Sequence, residues 1–324
     1  MNELDVIDRK IIDNMFFNAR ISLSSLAKKL RISKQVAKYR IDQLMKKDII
    51  QGFFAEINPS KMGLLIYTVY FNFQRLTPIK QKQLIEHLSK QKSIGLNVSL
   101  NGKWEHCIGI WAESIIHFKK YYDEVMKDYE MHIKEKSLMI GLDFHYFKPK
   151  LITLANDNQE WAIKAGLAKE SIDEIDTAIL NKLAENGRAG LVEIAKEIQL
   201  TPNAIKQRIK NLENKGLIVG YRAIINYTKL GFLHYRIFLH LENASQAKIN
   251  GLMEFLKQQK NIISMSQTVG FCDLEFRALI GSINEFFKLI EIIKNNFPDI
   301  IKGYDSIIYY EFYKSLNFIP SVQQ

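Results

Sequence analysis

Cysteine and proline are scarce in this chain: two and six residues among 324. Cys107 and Cys272 are too few to frame a disulfide scaffold, and such sparing use suits a reducing cytoplasm. No apolar run reaches the roughly 18 residues that a membrane-spanning helix needs. The opening "MNELDVIDRK" is charged and has no signal-peptide core, so a cytoplasmic protein with no membrane partner is expected. Histidines 106, 117, 132 and 145 are widely spaced, with no paired cysteine or acidic cluster to suggest zinc. No glycine loop of the phosphate-cradling kind occurs. Neither a metal nor a cofactor is therefore expected, and the chain is not expected to be an enzyme.

What is abundant is positive charge and apolar surface. The formal net charge is +10, and 47% of residues are hydrophobic. The charge favours an anionic partner without naming one. The length calls for two or more domains.

Self-comparison is the most informative operation. "LDVIDRKII" from Leu4 returns as "IDEIDTAIL" from Ile172, an offset of 168 residues. The same offset pairs Asn18 and Arg20 with Asn186 and Arg188, and Arg40-Ile41 with Arg208-Ile209. It also pairs Gly52 with Gly220, Gly63 with Gly231, Gly102 with Gly270, and Phe144 with Phe312. The period is too long for a solenoid, so each copy is expected to be a multidomain unit. Between the copies, about 150–168 reads as a linker, with a turn-like Asn-Asp-Asn tract and a short helix in "QEWAIKAGLA".

Each copy divides again. Residues 1–58 and 169–226 carry helical spacing, with Ser22, Ser33 and Thr201 as N-caps and Pro202 at a first helical position. Residues 59–149 and 227–324 are mixed, in the order strand, helix, strand, strand, helix, strand. That is the ferredoxin-like pattern, making the chain α+β.

The first unit, "DVIDRKIIDNMFFNARISLSSLAKKLRISKQVAKYRIDQLMKKDIIQGFFAEIN", resembles the DNA-binding half of Lrp/AsnC-type transcriptional regulators. The second, with "NGR", "IAKEIQLT" and "QRIKNLENKGLIVGY", resembles it equally. The mixed halves resemble the family's ligand-sensing domain, whose Gly-x-x-Asp turn reads "GKWE" here at Gly102 and "GFCD" at Gly270. The resemblance implies a winged helix-turn-helix plus a sensing domain, twice. It further implies double-stranded DNA as partner and an amino acid or other small metabolite as effector. The fusion departs from the family's usual single copy and implies an internal pseudo-dimer, which can also assemble further.

At 100° per residue, Val36, Ala37, Ile41 and Leu44 form one inward arc of the third helix. Gln35, Lys38, Tyr39, Asp42 and Lys46 form the opposite arc. Such a face suits a major groove, since Gln bonds adenine bidentately and Lys reaches guanine or phosphate. The expected DNA-contacting residues are Lys34, Gln35, Lys38, Tyr39 and Lys46, then Asn203, Lys206, Gln207 and Lys210. Because these sets differ, two unlike half-sites are expected. The bland alternative is a solvated helix face.

Arg40 and Arg208 fall on the inward arc. Either they pair with Asp8 and Asp176 of the first helix, or they reach out to phosphate. By resemblance, an effector would sit at Gly102 and Glu105, and at Gly270 and Asp273. The alternative is that these are tight turns with surface acids. Two further alternatives stay open. One is a non-DNA scaffold of the same fold. The other is a sirohaem decarboxylase-like enzyme, since those proteins look similar and can be fused pairs. Their His-Asn-Tyr-x-Arg run is absent from "NVSLNGKWEHCIGIWAES", which leaves only His106 and Trp111 as an echo.

Overall fold

A computed structural model describes residues 4–153, 159–166 and 168–314. The Asn-Asp-Asn tract of the linker lies outside them. Each copy opens with three helices: α1 (Val6–Phe16), α2 (Leu23–Leu30) and α3 (Lys34–Lys46), then α7 (Glu174–Glu185), α8 (Leu191–Ile198) and α9 (Pro202–Asn214) in the second. Local chemistry sets their ends. The side chains of Asp5, Ser22 and Ser33 accept the backbone N–H three residues on, as do those of Asp173 and Thr201. The second helix stops at a left-handed residue in both copies, Arg31 and Gln199. Ile11, Met15, Leu26, Ala37, Ile41 and Leu44 bury the first triad; Ile179, Leu183, Ile194, Ile205, Ile209 and Leu212 bury the second.

The wing strands β1 (Ile50–Ile57) and β8 (Ile218–Ile225) pair with each other across the copies as an antiparallel ribbon. The exchange is pseudo-symmetric. Ala19 donates its N–H to the Tyr221 carbonyl, and Gly187 does the same to Phe53, 168 residues apart on both sides. Arg20 lies 4.3 Å over the Tyr221 ring and Arg188 5.2 Å over Phe53. A Cβ on Gly187 would come within 2.6 Å of the Phe54 backbone, so this crossing needs glycine.

The mixed halves are β2 (Leu65–Phe73), α4 (Pro78–Lys90), β3 (Ile94–Gly102), β4 (His106–Ala112), α5 (Ile115–Met126) and β5 (Ile133–Gly141) in the first copy. The second has β9 (Leu233–Leu241), α10 (Gln246–Gln258), β10 (Ile262–Gly270), β11 (Leu274–Ile280), α11 (Ile283–Asn296) and β12 (Ile301–Lys314). Their strand orders, β5-β2-β4-β3 and β12-β9-β11-β10, are those of the ferredoxin-like pattern. Edge strands of one copy then join edges of the other, β3 to β12 and β5 to β10. Eight strands thereby close on themselves and leave no free edge between the copies.

Helices cover the outer faces, where Leu84, Leu88, Phe118 and Tyr122 meet Tyr67, Val69 and Phe71. The inner faces pack Tyr70, Val98, Cys107, Phe238, Ile307 and Tyr309. Gly102 and Gly270 sit where the copies join. Their φ values are +135° and +125°, and a Cβ would meet the Ser306 carbonyl at 2.5 Å or the Leu138 carbonyl at 2.2 Å.

The link between the copies differs from expectation. "QEWAIKAGLA" yields the strand β7 (Glu160–Lys164), not a helix. It pairs with β6 (Asp143–Phe147), which itself pairs with β10. Trp161 stacks on Phe17 at 4.5 Å. That contact draws the segment into extended form, with Ile163 buried on alternate spacing. The short helix α6 (Lys150–Thr153) docks on α1, where Arg9 donates to the Leu151 and Ile152 carbonyls. Among the described residues, no helix is long and apolar enough to cross a membrane.

Candidate nucleic-acid interface

All nine predicted DNA-contacting residues are exposed: Lys34, Gln35, Lys38, Tyr39 and Lys46 on α3, and Asn203, Lys206, Gln207 and Lys210 on α9. Tyr39 is 61% exposed. Asp42 shares the α3 face, and Lys210 stands in its place on α9. One expectation fails: Val36 is 41% exposed. It lies in the first turn, one step off Ala37, at the edge of a stripe that Ala37, Ile41 and Leu44 already fill.

The inward arginines tie each recognition helix to the first helix of its own triad. Arg208 Nη1 lies 2.7 Å from Asp173 and 2.8 Å from Asp176. Arg40 contacts Asp5 and lies 3.3 Å from Asp8. The Asp8 and Asp176 partners were readable from the sequence; Asp5 and Asp173 were not assigned. The signal was there in the Asp-x-x-Asp spacing, which turns both carboxylates to one side of α1 or α7. The Asp8 N–H, and then Arg40, hold the Asp5 carboxyl below its usual value. Burial raises Asp173, but the Asp176 N–H and Arg208 outweigh it. Each guanidinium thus ties the third helix of its triad to the first.

The expected sensing residues have structural partners. Glu105 accepts from the Phe73 N–H at 2.9 Å and Asp273 from the Leu241 N–H at 2.7 Å, closing the ends of β2 and β9. Glu105 also lines a groove of about 1020 Å³ between α4 and β12, with Lys82, Lys90, Ser99 and Tyr313. A counterpart at the 168-residue offset lies between α10 and β6, lined by Asn250, Met253, Gln267, Asp143 and His145. Here β7 intrudes with Glu160 and Lys164, and only about 280 Å³ remains. One groove is open and its twin is narrowed by the link between the copies. Sequence reasoning named Glu105 but delineated neither groove, because each is built from a helix of one copy and a strand contributed by the other.

His106 is fully buried, bonded to Asn97 at 2.6 Å and Ser99 at 3.3 Å; burial pushes its pKa down to about 3. Trp111 packs its indole against the Gly95 backbone. Among the described residues, no group of histidine, cysteine and carboxylate side chains has the makings of a metal site.

Comparison with known proteins agrees with this layout. Residues 172–213 match the AsnC-type helix-turn-helix domain, and residues 4–51 match a winged helix-turn-helix DNA-binding family. The chain is 39% identical over 131 residues to an uncharacterized HTH-type transcriptional regulator of Pyrococcus furiosus, spanning 39% of this chain and 84% of that protein. It is 31% identical over 120 residues to the HTH-type transcriptional regulator Ptr1 of Methanocaldococcus jannaschii, covering 37% of this chain and 79% of the relative. Among solved structures, the siroheme decarboxylase NirDL aligns over 96% of this chain and 93% of its own, with a TM-score of 0.63 and 12% identity. That last likeness is one of fold.

Proposed function

The chain belongs to the Lrp/AsnC family of helix-turn-helix transcriptional regulators, and from that premise we propose that it reads double-stranded DNA through α3 and α9 at two unlike half-sites. The observation that carries this reading is the pair of exposed faces on buried, ion-pair-anchored helices. Gln35, Lys38 and Tyr39 answer to Asn203, Lys206 and Gln207 at the same helical positions, and only the lysine is shared. Two different amide-bearing faces, on helices whose wing strands pair as one ribbon, ask for two different base patterns.

Phosphate contact makes binding salt-dependent. Five lysines lie on the two faces, and five neutralised phosphates give a slope near −4.5, an affinity loss of about 500-fold between 50 and 200 mM salt. Fluorescence anisotropy on a bound duplex measures this. Lys38→Ala and Lys206→Ala should each flatten the slope by about one unit. A salt-independent affinity, or slopes unchanged by both substitutions, would reject the interface.

The same reading includes an effector site in the open groove. The lining carries both signs, with Lys82 and Lys90 against Glu86, Glu105 and Glu311, which suits the two charges of an amino acid. On this reading the protein is a ligand-responsive regulator. The decarboxylase alternative gains no support from His106, whose nitrogens are engaged and closed to solvent. Nor does it gain any from Trp111, which is wedged on backbone.

A further inference from the structure

The two helical triads carry very different charge. From Leu23 to Lys47 the first has eight basic residues and one acid, a formal +7. The matched stretch, Leu191 to Lys215, has five and three, a formal +2. Arg40 and Arg208 are engaged by aspartates in both copies, so the difference lies in other side chains.

The excess gathers at the two ends of the recognition helix. Lys28 and Lys29 lie in the last turn of α2, and Arg31 forms the bend that leads into α3. Lys46 and Lys47 stand where α3 ends. All five are exposed, and none is in an ion pair among the described residues. With 13 residues, α3 is about 20 Å long, against a major groove about 12 Å wide. A helix entering that groove at a slant brings both ends to the bordering phosphates, where cations fix its position without reading sequence.

The same places in the second copy are neutral, reversed or engaged. Lys29 becomes Glu197, which pairs with Lys182 at 2.6 Å. Arg31 becomes Gln199 in the same left-handed bend. Lys46 becomes Asn214, and Lys215 donates to the Ser171 carbonyl at 2.7 Å. Of the five places, only Lys196 keeps an exposed cation. In addition, Glu193 stands in the first turn of α8 where the first copy has Ser25. Its carboxylate accepts from the Gly190 N–H at 3.3 Å and so occupies the helix end that would otherwise attract a phosphate. Charge kept for solubility alone would not collect at both ends of one helix and leave its twin bare.

Resting on the DNA reading of α3 and α9, we propose that the two triads divide the work. The first is an electrostatic anchor that grips both phosphate rows of any duplex through Lys28, Lys29, Arg31, Lys46 and Lys47. The second holds weakly until its own base pattern is met. The five lysines of the recognition faces account for a salt slope near −4.5, and each contact by Lys28, Lys29, Arg31 or Lys47 adds about 0.9 to it.

The test uses the full chain and a mixed-sequence duplex of about 12 base pairs, room for one triad. Lysine acetylation footprinting, read by mass spectrometry, shows which triad the duplex occupies. At low salt it should slow modification of Lys28, Lys29, Lys46 and Lys47 several-fold and leave Lys196, Lys206 and Lys210 reacting as in the free protein. In parallel, a triple variant, Lys28→Gln with Lys29→Gln and Arg31→Gln, should flatten the salt slope by about 2.7 units in fluorescence anisotropy. Equal footprints on both triads, or protection of the second alone, would overturn the division of work and leave the DNA reading standing. So would a slope that the triple variant moves by less than about one unit. If the variant fails to fold, the wild-type footprint decides. Absence of binding to this duplex and to every sequence in a random pool would overturn the DNA reading itself, and the proposal with it.

Discussion

Arg40 looks misplaced in a basic helix proposed to read DNA, because it points away from the exposed face. Its geometry resolves the matter: the guanidinium is bonded to Asp5 and Asp8 on α1, and Arg208 repeats the arrangement with Asp173 and Asp176. Arg40 and Asp5 are part-exposed, at 31% and 48%, so solvent screening discounts the pair. Arg40→Met is expected to lower unfolding stability by about 1 kcal/mol, read by urea denaturation. Unchanged stability with DNA affinity alone reduced would mean the arginine serves phosphate. This tie was legible because spacing fixes which residues share a helix face. Asp5 escaped notice because an N-cap residue lies outside the periodic stretch, although its side chain still reaches across. Glu105 and Asp273 show the opposite limit: their motif was visible, but not the backbone N–H groups of Phe73 and Leu241 that they accept from.

Elements that pair across the copies are where sequence reasoning runs out. The helices and strands of each unit follow from apolar period and caps. The closure of β3 on β12 and β5 on β10 leaves one local trace, the glycines at 102 and 270, and those read equally well as simple turns. The β7 segment reads as helix in the sequence because five residues of alternation are too few to decide the period. An ionic cluster adds to the β6 pairing and the Trp161 stack in holding β7 in the second groove. Glu160 lies 2.5 Å from Lys257 and 3.6 Å from His145, and His145 lies 3.2 Å from Asp143. The Asp143 hydrogen bond, above all, raises the His145 pKa from 6.5. A raised histidine pKa means the folded state holds the proton more tightly. Its stabilisation is complete below about pH 6.5 and is lost as pH rises through the elevated value. Hydrogen exchange, corrected for its intrinsic pH dependence, should therefore show β7 amides less protected at pH 8.5 than at pH 6. His145→Gln should show the weaker protection at both.

At the scale of the molecule, duplication with divergence is the central fact. The offset of 168 residues survives in the ribbon hydrogen bonds of Ala19 and Gly187, in the arginines at 20 and 188, and in the order of strands in each sheet. Divergence falls on the parts proposed to meet other molecules: the faces of α3 and α9 and the two grooves. A homodimer cannot differ between its halves in this way, since both arise from one sequence. Fusion frees each half to change alone. The account therefore rests on the two recognition faces being functionally unlike. Selection of bound sequences from random duplex DNA by the full chain tests this most directly. The predicted result is two different half-sites at fixed spacing, with Gln35→Ala relaxing preference in one and Asn203→Ala in the other. Recovery of a perfect palindrome, or of no preferred sequence, would contradict it.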